Sequence, residues 1–208
     1  MLKSNVLKKK SIFKFYFKKL NLFRILFILF TFGFIIGVFL IGMQDEFFGK
    51  KVECSVDSFI LNRTGKSFGY VFLNSFFNFV VLFLVLFVFG FFPFGQLFSF
   101  FSSMFHGLGL GLFSSYLYSA KGVNGMLFCL LFIAPSEIIY SLTIILAAKT
   151  SVRFSNRNFK LIFLKKHGCE TTGEFRLYLL RYVVLLLFLI FATFLATLSN
   201  FVFPNVLR

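Results

Sequence analysis

Two ionisable side chains stand out in this chain, because each falls where lipid surrounds the backbone. Glu137 is the only acid inside an apolar stretch, and His106 is the other titratable group at similar depth. An ionisable residue inside a membrane costs several kcal/mol if unpaired, so it marks either a function or a partner. Glu137 could serve a proton or ion path, or it could be a protonated or His106-paired structural group. Asn74 and Asn78 lie one helical turn apart and could extend such a polar network from a neighbouring helix.

No other chemistry is spelled out. The sequence has no HExxH, GxSxG, phosphate loop or dinucleotide fingerprint. Two His, seven acids and three Cys leave little for acid–base catalysis, so an enzyme is not expected, and neither a metal nor a cofactor. Cys54, Cys129 and Cys169 match no zinc or redox spacing. The topology below places them outside the cell, within the membrane and in the cytoplasm, which excludes a disulfide within one chain.

The elements that must position these groups are membrane helices. Hydrophobic residues make up 59% of the 208 residues and charged ones 14%, against about 25% charged in soluble domains. From Ser67 to Ala120 there is no Lys, Arg, Asp or Glu in 54 residues. As one helix that run would reach about 80 Å, too long for one crossing of a hydrocarbon core about 30 Å thick. Two crossings joined by a buried turn fit it. The turn is Gly90 to Gly95, where Pro93 cannot continue the hydrogen-bond ladder. The 39 Phe are read simply as apolar lipid-facing bulk.

The fold class predicted is an all-α integral membrane protein with five spans, at about 22–42, 70–89, 96–118, 125–148 and 182–201. Residues 1–21 form a separate basic amphipathic segment. In it Ile12, Phe13, Tyr16, Phe17 and Leu20 follow helical spacing, and Lys10, Lys14 and Lys18 share another face, as in an interfacial helix. Residues 22–208 make one membrane domain. Met43–Lys66 reads as a neutral outer loop, Lys121–Asn124 as a short outer turn, and Lys149–Thr172 as a basic inner loop. Pro135 interrupts the fourth span.

Charge sets the orientation. Eight basic residues precede or open the first span, and eight more lie from Lys149 to Arg181. The segments on the other side carry four, one and one. The positive-inside rule then predicts a cytoplasmic N-terminus and an outer C-terminus. Both basic clusters flank spans, so they point to anionic lipid at the inner leaflet and not to nucleic acid.

The sharpest pattern is geometric. Gly95, Ser99, Ser103, Gly107, Gly111, Ser115 and Ser119 are all small and recur every four residues along the third span. Such a ridge lets another backbone approach closely. It could bind another protein or a second copy of the chain, or pack against the first or fourth span. Gly33 and Gly37 form a GxxxG in the first span.

Residues Gly90 to Ser151 resemble the stage II sporulation protein M family. The resemblance rests on Gly90 and Pro93, on Phe105-His106-Gly107 with Gly111, on Gly125, and on Ala134-Pro135-Ser136-Glu137-Ile138-Ile139. Two positions depart from the family pattern, with His106 in place of Lys and Glu137 in place of Asn or a similar polar residue. Length, five spans and a basic N-terminus agree with it. The resemblance implies a non-enzymatic scaffold of the engulfment machinery. It would hold two peptidoglycan-degrading enzymes, stage II sporulation proteins D and P, at the septal mother-cell membrane. The alternative is a transporter or permease-like subunit in which Glu137, His106 and the proline-broken fourth span line a path.

Overall fold

A computed structural model describes residues 2–42, 46–61, 63, 65–163 and 171–202. Among them every regular element is a helix: α1 (Leu2–Gly42), α2 (Glu46–Leu61), α3 (Phe68–Phe91), α4 (Gly95–Phe128), a five-residue π-helix (Cys129–Ile133), α5 (Ala134–Phe163) and α6 (Thr171–Val202). Five segments are long and apolar enough to cross a bilayer: Leu22–Gly42, Phe68–Phe91, Gly95–Val123, Ala134–Phe159 and Gly173–Ser199. This is the expected five-span, all-helical class.

Several boundaries differ from the sequence reading, each for a local reason. The basic segment and the first span form one continuous helix of 41 residues. At 1.5 Å per residue α1 is about 60 Å long, twice the hydrocarbon core. The side chains before Leu22 lie outside the described ones. The outer loop contains a helix, α2, whose Val52 and Val56 turn inward onto Phe113, Leu117 and Ile133. The turn at Lys121–Asn124 contracts to one non-helical residue, Gly122, at φ 59°. A side chain there would be strained, which is why glycine serves. After the kink at Gly122 the helix resumes and continues through the π-helix into α5, which runs on to Phe163 through what reads as a loop. Helix α6 begins at Thr171, eleven residues ahead of the crossing expected from residue 182.

The bundle has two packing regimes. Between α1 and α4 the contact is backbone on backbone. A β-carbon at Gly33 would strike the Met104 carbonyl, and one at Gly37 the Leu108 carbonyl. From the other side, β-carbons at Gly107 and Gly111 would strike the carbonyls of Phe30 and Phe34. Two glycine pairs spaced by four thus interlock, the arrangement that gives membrane helices close van der Waals contact where lipid supplies no hydrophobic drive. Between α3, α5 and α6 the packing is aromatic on small. Phe79, Phe83 and Leu86 meet Tyr140, Ile144, Ala147 and Ala148, with Tyr178, Tyr182, Leu185 and Leu189 closing the cluster. Three tyrosines donate across it to backbone carbonyls: Tyr140 to Phe79 at 3.2 Å, Tyr178 to Phe87 at 2.8 Å and Tyr182 to Ala147 at 3.1 Å.

The break between α3 and α4 exposes carbonyls that a bilayer cannot satisfy. Helix α5 satisfies them. Ser155 donates to the carbonyls of Phe92 and Pro93, at 2.7 and 3.1 Å, and Asn158 to that of Phe91 at 3.1 Å. The extension of α5 beyond Lys149 therefore has a purpose, since it carries the caps of a turn more than sixty residues earlier. Arg157, on the same extension, forms an ion pair with Glu174 of α6.

Candidate functional site

Glu137 and Ser141 of α5 share one polar region with His106 and Tyr140. Pro135 has no N–H and its ring crowds the preceding turn, so an α-helix cannot run through it undisturbed. The chain takes the wider π turn Cys129–Ile133 just before it. Such π segments often mark functional positions. Ser136 then donates to the Ile133 carbonyl at 2.9 Å. One residue on, Glu137 is half-buried in the first turn of α5.

Glu137 lines two cavities at once. One, of about 490 Å³, lies between α1, α4 and α5 and is almost wholly apolar, with Phe30, Phe34, Leu130 and Leu142 in its wall. The other, of about 610 Å³, lies between α2, α3, α4 and α5 and carries more polar groups, among them Ser55, Asn78, His106 and Tyr140. Three apolar residues, Leu110, Phe113 and Ile133, line both and complete the partition around Glu137.

His106 stands beside Glu137 without serving as its hydrogen-bond partner. Its Nε2 pairs with the Ser141 hydroxyl at 2.9 Å. Its ring packs edge-on against Tyr140 at 4.8 Å and tilted against Phe30 at 5.7 Å. The group that engages Glu137 electrostatically is Arg63, from the segment after α2. Burial pushes the Arg63 guanidinium down to about 10, and the Glu137 carboxylate opposes that shift. Arg63 also donates to Ser75 of α3 at 3.1 Å. Its charge had placed it in an outer loop. Its two apolar neighbours in space, α3 and α5, are invisible in the sequence around it.

The remaining residues singled out by sequence separate into different places. Asn78 faces the larger cavity; Asn74, one turn away on α3, lines neither. In the small-residue ridge, Gly107 and Gly111 sit in the α1 crossing, and Ser115 donates to the Val38 carbonyl at 3.4 Å. Ser99 and Ser103 are fully buried, and the Ser99 hydroxyl bonds that of Ser151 on α5 at 2.9 Å. The two ends differ. Gly95 is tight against the Phe89 carbonyl of its own turn, and Ser119 is exposed. Pro93 lies in the α3–α4 turn and Pro135 at the π-to-α junction.

The family model for stage II sporulation protein M matches residues 11–198. The chain belongs to the stage II sporulation protein M family. No curated protein and no solved structure matches it. The family match spans all five crossings and ends one residue before the last crossing does, so membership rests on the whole membrane domain. Membership makes this a multi-pass membrane protein of a sporulation family. Among the described residues no group of three His, Cys, Asp or Glu could hold a metal ion.

Proposed function

We propose that the protein is a membrane scaffold of the engulfment machinery. It holds peptidoglycan-degrading enzymes, stage II sporulation proteins D and P, at the septal membrane of the mother cell. The observation that carries this reading is the family match over residues 11–198, on a chain with five helices long and apolar enough to cross a membrane. The packing is consistent with it. Glycine interlocks, tyrosine staples and capped turns fix helix positions, which is what a platform for other proteins requires. With the N-terminus in the cytoplasm, α2 lies outside, where cell-wall enzymes work. The N-terminal basic stretch then meets anionic lipid at the inner leaflet.

Affinity purification of the tagged protein from sporulating cells tests the proposal. Both hydrolases should co-purify from detergent extracts, and deletion of this protein should disperse them from the septum. If neither enzyme co-purifies nor moves, the scaffold reading is lost.

One observation favours a second reading, a transport component: Glu137 lies between two cavities. The substitution Glu137→Gln separates the two. A scaffold keeps its partners and its sporulation efficiency with Gln at this position. A transporter that relies on the carboxylate loses activity while still assembled.

A further inference from the structure

The larger cavity holds an unusual imbalance between polar supply and polar demand. Asn78 is ten residues into α3, about 15 Å along the helix and so near the middle of the hydrocarbon core. It has no hydrogen-bond partner among the described residues. An amide in hydrocarbon with nothing to bond costs several kcal/mol, so something must satisfy it. The cavity also receives the Glu137 carboxyl, the His106 ring and the Tyr140 ring. It is roomy enough for many waters at about 30 Å³ each. The neighbouring cavity of about 490 Å³ has no amide and a far more apolar wall, so it offers lipid chains a place but gives water little to hold.

From this contrast we propose that the cavity beneath α2 is a water-filled vestibule, which hydrates Asn78 and brings the aqueous phase to Glu137 in mid-membrane. Helix α2 forms its roof through Val52, Ser55 and Val56. The opposite wall is α4, where Gly109 lines the cavity and a β-carbon would meet nothing within 4 Å. The absence of a side chain at Gly109 keeps the space open. The inference stands apart from the scaffold reading, because a scaffold and a transporter could each contain such a chamber.

Thiol chemistry tests it, since a thiol reacts as the thiolate and ionises only where water reaches it. Single-cysteine chains in lipid nanodiscs would be treated with a charged, membrane-impermeant methanethiosulfonate, which reaches both faces. Native Cys54, exposed on α2, sets the aqueous rate. Leu142→Cys, in the apolar cavity, sets the lipid rate. Asn78→Cys and Gly109→Cys should react at least on the order of tenfold faster than Leu142→Cys. Gly109→Cys guards against misfolding, because the new side chain meets open space. If both react as slowly as Leu142→Cys while Cys54 reacts fast, lipid or a partner helix fills the cavity and the proposal is wrong. Equal rates at all positions also overturn it, since the two cavities would then not differ.

Discussion

A β-carbon on Gly111 of α4 would lie 3.2 Å from the Cα of Gly37 on α1, so at this point the two helices touch backbone to backbone. Gly107 and Gly33 repeat the relationship one turn away, against the carbonyls of Phe30 and Met104. The crossing admits no side chain, and helix α1 meets no other helix as extensively.

Gly107→Ala should therefore force α1 and α4 apart, at a cost of about 1–3 kcal/mol from overpacking. Gly109→Ala, two residues away with open space around it, should be neutral or slightly stabilising, since Ala is the better helix former. Thermal unfolding of the purified protein in detergent measures both. Equal effects at the two glycines would mean that the crossing opens freely.

The caps on the α3–α4 turn can be removed singly. Ser155→Ala leaves the Phe92 and Pro93 carbonyls without that donor, and Asn158→Ala does the same for Phe91. Each loss should cost about 1–3 kcal/mol if the carbonyl stays buried. The expected readout is faster proteolytic cleavage near Pro93, with the rest of the bundle protected. No change in cleavage would show that other groups take over the capping.

Arg63 and Glu137 should behave as a coupled pair. In a double-mutant cycle with Arg63→Gln and Glu137→Gln, the interaction should be about 0.5–3 kcal/mol. Glu137→Leu should harm stability more than Glu137→Gln, because it leaves the buried guanidinium facing an apolar side chain. Additive single effects would remove the link between the α2 segment and α5.

Orientation is open to direct labelling. Cys54 should react with an impermeant reagent from outside intact cells, and Cys169 only after the cells are opened. The motivation is the split of basic residues, sixteen against six. The opposite pattern would invert the topology and place α2 in the cytoplasm.

Much of this architecture was legible in sequence because membranes enforce simple rules. Charge-free length gave the spans, and glycine and proline at 90–95 gave the turn. The recurrence of small residues every four positions marked the α4 face that meets α1. What stayed hidden depended on partners distant in the chain. Lys149, Arg153 and Arg157 made the end of α5 look like a solvated loop, while Ser151, Ser155 and Asn158 face inward from the same helix. Arg63 read as a loop cation because nothing near it in sequence shows Ser75 or Glu137. His106 shares the membrane interior with Glu137, but Ser141, a turn further along α5, is the residue it bonds.

The glycine crossing also has a consequence for synthesis. Its two halves, Gly33–Gly37 and Gly107–Gly111, are made far apart in time. Seventy residues separate Gly37 from Gly107, so at about 5–20 residues per second the ribosome needs roughly 4–14 s to supply the second half. For that interval α1 has no α4 to pack against. The most tightly fitted joint in the molecule is thus one that cannot guide the early steps of its assembly, and it closes only after α2 and α3 have been made.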